Sequence, residues 1–306
     1  MDLKLIDIQV NGYKGISFTD KNLTIEQCKY AFQSYIKDTG CISFFPTIIT
    51  TSKETYEHVI PILNELSNNS EFKDHIGGYH FEGPFIAKEA KGAHEEKHIC
   101  APDIDYFNYL YNLTQGKLKI MTIAAEYDLL SSFIKNADSK NVIISLGHQI
   151  ANVQQIEKAS NYGAKCMTHL GNGIPQMIDR HNNSIYAGLS NDKLTTMIIP
   201  DGFHLPDYFM KIVFKAKGID NVICVSDISP IGGLPSGEYS GKKIGMGDEI
   251  LRIEENGKLH IPSRNCLAGS SMNIRECANY LIKTNLLSKE DLEKVFYYNI
   301  KKLLKN

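Results

Sequence analysis

The stretch VIISLGHQIANVQQIEKASNYGAKCMTH, residues 142–169, contains a strand, a helix and a second strand in order. Residues 142–146 form a short apolar run rich in β-branched side chains, which predicts a buried strand. Residues 153–162 carry apolar side chains at helical spacing, and residues 164–169 form a second apolar run. His148 follows the first run and His169 closes the second. The stretch therefore predicts a parallel βαβ unit with two histidines at one edge of its sheet.

The same alternation continues in both directions along the chain. Eight strands are predicted, at residues 3–10, 42–48, 76–81, 119–124, 142–146, 164–169, 197–200 and 222–226. Helices are predicted at residues 24–37, 54–66, 153–162 and 208–217, with closing helices at 272–283 and 289–302. Eight parallel strands that alternate with helices close an α/β TIM (β/α)8 barrel, and continuous apolar runs suit strands buried on both faces. A doubly wound open sheet is the competing fold, and the absence of a glycine-rich phosphate turn after the first strand counts against it.

Three segments interrupt this alternation. Residues 84–103 form a charged insertion, residues 172–191 are polar, and residues 230–263 are glycine-rich with a pattern that suggests a β-hairpin. A barrel of this class accommodates about 250 residues or more in one domain. Residues 1–306 are therefore predicted to form a single barrel domain with insertions at about 84–103 and 230–263.

Composition limits the compartment and the class of partner. The net charge of −2 gives no basic surface for nucleic acid, although a small acidic substrate remains compatible with it. The seven cysteines form no C-x-x-C pair, which argues against a disulfide framework and against a cysteine zinc site. The N-terminus lacks a signal pattern, and no apolar stretch approaches the length of a membrane span. A cytoplasmic protein without a membrane or nucleic-acid partner is expected.

Residues able to bind a metal or move a proton stand at the end of nearly every predicted strand. They are Gln9, Asn11, Thr47, Glu82, Glu126, His148, His169, Asp201, His204 and Asp227. Active sites of TIM barrels collect at this edge. Glu82, His148 and His169 stand out, because two imidazoles and one carboxylate with an open position are typical of catalytic zinc sites. One buried histidine is usually structural, but packing does not explain three such residues at three strand ends.

Other candidate residues have a plain alternative role when each is taken alone. Asp227 could exchange protons with a water near a metal, or it could cap the following loop. His94 and Arg180 could be functional or simply exposed in their loops. His80 lies on the same side of its strand as Glu82, because strand side chains repeat every two residues, and it could support the site.

Nine short motifs in order along the chain resemble the N-acetylglucosamine-6-phosphate deacetylase family of the amidohydrolase superfamily. They are IDIQVNG at 6–12, PTIITTS at 46–52, HFEGPF at 80–85, KGAH at 91–94, GH at 147–148, THLGN at 168–172, DGFH at 201–204, SD at 226–227 and LAGSS at 267–271. Each motif is weak alone, and nine in the family's order are specific.

The resemblance implies metal-dependent deacetylation of N-acetylglucosamine 6-phosphate to glucosamine 6-phosphate and acetate. Glu82, His148 and His169 match the family's metal ligands, and zinc is the first choice, with iron, manganese or cobalt as substitutes. Gln9 and Asn11 stand where many amidohydrolases carry a His-x-His pair for a second metal, so one divalent ion is expected.

The resemblance also implies roles for residues around the metal. Asp227 matches the general base and acid, and His94 matches a residue that polarises the substrate carbonyl. Asn172, Arg180 and His204 match positions that hold the sugar and its phosphate. A homodimer is expected, because relatives often supply the phosphate contact across a subunit interface.

Two departures from the family pattern bear on these expectations. The family carries a small β-sandwich domain, and the chain is expected to lack it, because the sequence starts at barrel strand one. Glycines flank Asn172 where relatives carry larger side chains, which favours a shifted substrate as an alternative. Further alternatives are a sugar-phosphate-binding pseudo-enzyme and a cyclic-amide hydrolase; the missing His-x-His pair counts against the last.

Overall fold

The computed structural model describes residues 3–244, 246–264 and 266–305, and its main body is an eight-stranded parallel sheet. Numbered along the chain, the strands of this sheet are β1 (Ile6–Val10), β4 (Ser43–Ile49), β5 (Tyr79–Glu82), β6 (Leu118–Ile123), β7 (Ile143–Leu146), β8 (Cys166–Met167), β9 (Thr195–Ile198) and β10 (Val222–Cys224). Consecutive members of this series are neighbours in the sheet. The sheet curls into a nearly closed (β/α)8 barrel, which confirms the predicted fold class.

Helices follow most of the barrel strands and pack outside them. They are α1 (Ile25–Thr39), α2 (Lys53–Asn68), α3 (Ile104–Leu113), α4 (Leu130–Asp138), α5 (Val153–Tyr162), α6 (Ser184–Ser190), α7 (Asp207–Lys217), α8 (Ile274–Thr284), α9 (Lys289–Glu293) and α10 (Asn299–Leu303). Capping boxes fix the starts of α1, α5 and α8, because Thr24, Asn152 and Asn273 each satisfy a free backbone N–H. The predicted helix at 289–302 is interrupted, since a π-helical turn, Lys294–Tyr298, separates α9 from α10. Within the described residues, no helix is long and apolar enough to cross a membrane.

The first and last barrel strands meet through side chains as well as backbone. A single parallel bridge joins Val10 to Ile228, and the N–H of Asn11 donates to the carbonyl of Ile228 over 3.1 Å. The buried carboxylate of Asp7 accepts hydrogen bonds from both the backbone N–H and the hydroxyl of Ser226. Asp7 therefore replaces part of the missing strand ladder at the seam of the barrel.

Two apolar layers lie on either side of the barrel wall. The interior layer includes Ile6, Ile8 and Phe45, and the last helix adds Ile300 and Leu303 to the same cluster. The larger outer layer lies between the strands and the surrounding helices. Both faces of the strands are therefore buried, which explains why their sequences are continuous apolar runs.

Small antiparallel sheets interrupt the βα order. One pairs β2 (Gly12–Tyr13) with β3 (Ile16–Ser17), and another contains β11 (Gly237–Ser240), β12 (Ile250–Ile253), β13 (Leu259–Ile261) and β14 (Cys266–Leu267). The sequence predicted a hairpin at 230–263, and the second sheet extends that hairpin to four strands. It has its own apolar cluster, which includes Ile244, Leu251 and Leu259.

Candidate metal centre and its cavity

Three buried side chains converge at the C-terminal end of the barrel. Glu82 is the last residue of β5, His148 comes two residues after β7, and His169 comes two residues after β8. The backbone at His148 and His169 has a positive φ, 50° and 29°, and Asp227 after β10 has 47°. Residues other than glycine rarely adopt this conformation, and such strain concentrates at functional sites.

The ligand atoms of these residues lie close together. Nε2 of His169 is 2.8 Å from Oε1 of Glu82, and Nε2 of His148 is 3.2 Å from the same oxygen. The two Nε2 atoms are 3.2 Å apart. Nδ1 of His148 donates to the carbonyl oxygen of Ala90 over 2.8 Å, which leaves the lone pair of Nε2 directed at the cluster in the neutral ring.

This arrangement suits a cation. Oxygen and nitrogen lone pairs that face each other at hydrogen-bond distance repel unless a proton or a metal ion lies between them. Burial alone would raise the pKa of Glu82, but its contacts with His148 and His169 outweigh burial and hold that pKa well below its ordinary value. The carboxylate is therefore ionised at neutral pH. The buried Glu82, His148 and His169 group could hold a metal ion, and two imidazoles with a carboxylate form a zinc-type ligand set.

Asp227 lies beside this group and is linked to Glu82 through the side-chain amide of Gln9. Nε2 of Gln9 donates to Oδ1 of Asp227 and to Oε1 of Glu82, each over 3.0 Å. Nδ2 of Asn11 donates to the same Asp227 oxygen over 2.8 Å. Burial, followed by the nearby charge of Glu82, raises the pKa of Asp227 to about 6. A carboxyl group with such a pKa can both accept and return a proton near neutral pH.

His94 approaches from the insertion after β5. Its ring is 4.4 Å from that of His148, centroid to centroid, and its Nε2 is 3.8 Å from Oε2 of Glu82. Nδ1 accepts a hydrogen bond from the N–H of Thr50 over 3.4 Å, which leaves Nε2 as the protonated nitrogen. Burial, and then the charge of His148, lowers the pKa of His94 to about 3, so the ring is a neutral donor.

A cavity of about 290 Å³ lies above these groups. Of the residues predicted from the sequence, those that line it are Asn11, Glu82, His94, His148, His169, Asn172, His204 and Asp227. Met246, between β11 and β12, and Cys266 and Leu267 of β14 also line the cavity. The four-stranded antiparallel sheet therefore helps to enclose the site. Among the described residues that line the cavity there is no lysine or arginine. Arg180 is exposed and is not one of the lining residues.

Comparison with known proteins identifies the family, although no protein-family model matches the chain. N-acetylglucosamine-6-phosphate deacetylase of Bacillus subtilis is 27% identical over 98% of this chain and 74% of that protein. The human enzyme of the same name is 28% identical over 93% of this chain and 69% of its own length. The chain belongs to the N-acetylglucosamine-6-phosphate deacetylase family. It spans about two thirds to three quarters of the length of these curated family members.

Solved structures of N-acetylglucosamine-6-phosphate deacetylases have the same barrel. The Thermotoga maritima enzyme matches with a TM-score of 0.83 and 26% identity, over 99% of this chain and 78% of that one. The Pasteurella multocida enzyme matches with a TM-score of 0.86 and 25% identity, over 99% and 76%. A mutant of the Mycobacterium smegmatis deacetylase, solved in complex with N-acetyl-D-glucosamine-6-phosphate, has a TM-score of 0.86 at 20% identity, which supports the fold alone.

Some contacts in this deacetylase-family site were not predicted from the sequence. Gln9 bridges two carboxylates, the carbonyl of Ala90 orients His148, and Asp201 pairs with His204. A Cβ added at Gly173 would lie 2.9 Å from Nδ1 of His148, so that loop packs directly on the ligand ring. Gln9 and Asp201, like His148 and His204, gave a signal as polar residues at strand ends, whereas Ala90 gave none.

Proposed function

We propose that this protein is a metal-dependent deacetylase that converts N-acetylglucosamine 6-phosphate to glucosamine 6-phosphate and acetate. The observation that carries the proposal is the convergence of three buried ligand side chains and Asp227 in one cavity of a family member. The polar residues at the strand ends fit such a reaction. The choice of substrate follows from the deacetylases to which the chain is similar.

The proposed metal ligands are Glu82, His148 and His169, which would hold one divalent ion. Zinc is the first choice for two imidazoles and a carboxylate, and iron, manganese or cobalt could replace it. When bound, such an ion supplies Lewis-acid chemistry, because it polarises a carbonyl oxygen and lowers the pKa of water.

Asp227 and His94 are the proposed catalytic residues. Asp227, with a pKa near 6, would accept the proton of the attacking water and pass a proton to the departing amine nitrogen. His94, neutral and protonated on Nε2, would donate a hydrogen bond to the oxygen on which charge develops. The C–N bond of the amide breaks, a C–O bond forms, and the products are an amine and acetate.

Asn172, His204 and Arg180 are the proposed substrate-binding residues. Asn172 and His204 line the cavity, whereas Arg180 is exposed. The proposal therefore includes a homodimer in which Arg180 of a second copy takes the phosphate. Sedimentation equilibrium should give twice the chain mass of 34.4 kDa. A monomer at all concentrations that still hydrolyses the phosphorylated substrate would contradict this arrangement.

We also propose that residues 1–306 form one domain in the cytoplasm. Packing of Ile300 and Leu303 with Ile6 and Ile8 in the barrel interior supports the single domain.

The alternative function is deacetylation of a different acetamido sugar. The lack of lysine and arginine among the described cavity residues favours it, because a phosphate monoester carries up to two negative charges. A panel of N-acetylated sugars with and without phosphate separates the two functions. A higher kcat/KM on the unphosphorylated sugars would favour the alternative.

The decisive experiment measures acetate release from N-acetylglucosamine 6-phosphate by protein of known metal content, with Asp227→Asn beside the wild type. We expect activity in the wild type and a loss of at least about 1000-fold in kcat for the variant, with metal retained in both. Binding of the sugar phosphate without acetate release, despite about one metal per chain, would instead support a sugar-phosphate-binding protein.

A further inference from the structure

Asp201 lies at the end of the barrel, three residues after β9, and is almost fully buried, with 2% of its surface exposed. Its Oδ1 accepts the backbone N–H groups of Phe203 and His204, over 2.9 and 2.8 Å. Its Oδ2 is 2.7 Å from Nδ1 of His204. One carboxylate therefore holds both the turn that carries His204 and the His204 ring.

The contact with Asp201 fixes how His204 faces the cavity. Because Nδ1 is held by Oδ2, Nε2 is the ring nitrogen left for a ligand, and His204 lines the cavity. Among the described residues, Nε2 of His204 has no hydrogen-bond partner. The ring is thus oriented with Nε2 toward the substrate, and Nε2 carries an N–H that can donate when the ring is protonated.

The charge of Asp201 also favours the protonated form of His204. Burial alone would lower the pKa of His204, but the charge and hydrogen bond of Asp201, followed by the charge of Asp227, outweigh burial and raise it. Burial alone would raise the pKa of Asp201, but His204 outweighs burial and lowers it. The described cavity residues include no lysine or arginine, and His148, whose pKa is also raised, is a proposed metal ligand. His204 is therefore the side chain that could present a positive donor to the substrate.

We propose that Asp201 is a positioning residue, which anchors the His204 ring through Nδ1 so that Nε2–H donates to an oxygen of the bound substrate. The proposal rests on the proposed function for the identity of the substrate. The geometry of the pair does not depend on that identity. Asp201 itself is not among the residues that line the cavity, so it acts through His204.

The substitution Asp201→Asn separates this role from a merely structural one. Asparagine keeps an oxygen that can accept the two backbone N–H groups of the turn. It replaces Oδ2 by an NH₂ group, which cannot accept from Nδ1–H of His204. The turn is thus retained while the anchor of the ring is lost.

The experiment combines Asp201→Asn, His204→Gln and the double variant, with Asp207→Asn as the matched control. Asp207 lies in the same segment, and its carboxylate binds the hydroxyl of Tyr280 instead of a cavity residue. Loss of a charge-assisted hydrogen bond should raise KM about tenfold in Asp201→Asn, with kcat within about twofold. The same substitution should have no further effect in the His204→Gln background, because Asp201 acts through His204.

NMR of the histidine ring nitrogens in the zinc-loaded, ligand-free protein provides a readout that needs no substrate. We expect the His204 signals, assigned by their loss in His204→Gln, to titrate with a higher pKa in the wild type than in Asp201→Asn. The reason is that the carboxylate of Asp201 favours the protonated ring and the asparagine amide does not. This result would stand even if the sugar phosphate were not the substrate.

Two results would overturn the proposal. One is an unchanged His204 spectrum in a folded Asp201→Asn protein. The other is an effect of Asp201→Asn on KM that is as large in the His204→Gln background as in the wild type. Unchanged KM values in Asp207→Asn are required for the comparison to hold.

Discussion

At the scale of single residues, three strained backbone positions lie at the candidate site. His148, His169 and Asp227 each adopt a positive φ at the end of a barrel strand. This conformation turns the side chain toward the barrel axis immediately after the strand ends, and the surrounding packing must hold it. The predictions at this scale concern side chains whose neighbours are fixed by that geometry.

Removal of the charge of Glu82 should strongly weaken metal binding. Glu82→Gln keeps the shape of the side chain, but a neutral amide is a much poorer ligand, so we expect metal affinity to fall by at least about 100-fold. Metal analysis after equilibrium dialysis measures this. Glu126→Gln is the matched control, because Glu126 follows the next barrel strand and does not line the cavity. Equal metal content in both variants would exclude Glu82 as a ligand.

Replacement of His94 should affect catalysis more than binding. We expect His94→Asn to lower kcat by about 100-fold with a small change in KM, as for loss of one donor to a developing oxyanion. His98→Asn is the control, since His98 lies in the same insertion but outside the cavity wall, close to Glu95. Steady-state kinetics of both variants, with metal content matched, checks the prediction. A pure KM effect in His94→Asn would assign it to substrate binding.

At the scale of elements, one buried carboxyl group at the seam of the barrel joins three elements. Asp7 in β1 accepts from Ser226 after β10 and from the hydroxyl of Tyr35 in α1. These three elements are distant in sequence, so the side chain joins parts of the fold that no local pattern connects. Burial is the main reason why the pKa of Asp7 rises from 3.8 to about 6, and its hydrogen bonds partly offset it.

The raised pKa predicts how stability depends on pH. Because the folded pKa lies above the unfolded one, the contribution of Asp7 is fully present below about pH 4 and is lost as pH rises through about 6. The shift corresponds to about 3 kcal/mol of unfolding free energy at most. Urea unfolding of the metal-free wild type and of Asp7→Asn is measured at about pH 4.5 and about pH 8, on either side of the folded pKa. Between these two values the free energy of unfolding should fall more in the wild type than in the variant. Parallel pH profiles would contradict the prediction.

At the scale of the whole molecule, metal binding should be coupled to folding. The three ligands come from β5, β7 and β8, which are brought together only in the closed barrel, so the unfolded chain has no preformed site. A free metal concentration of 100 times the dissociation constant adds about 2.7 kcal/mol to the free energy of unfolding, which raises Tm by roughly 4 °C. Calorimetry with zinc and with a chelator measures the shift. The Tm of Glu82→Gln should not change with zinc. A zinc-dependent shift of Tm in this variant as large as in the wild type would place the metal elsewhere.

The sequence by itself determined the barrel and the residue types at its C-terminal edge. Hydrophobic periodicity is local, so eight apolar runs and several of the helices between them are visible in the chain, whereas α3, α4 and α6 were not predicted. The end of each strand indicates which side chains face the site. Glu82, His148 and His169 were accessible in this way because each closes or follows a predicted strand.

Only the tertiary structure decided which of these residues meet and what holds them. The contact of Asp7 with Ser226 spans 219 residues, and the two bonds of Gln9 span 73 and 218. Arg180 is exposed while Asn172, in the same polar segment, lines the cavity, and the 230–263 segment forms a sheet that helps to enclose the site. Such contacts depend on barrel closure and loop packing, which bring distant residues together without leaving a periodic pattern in the sequence.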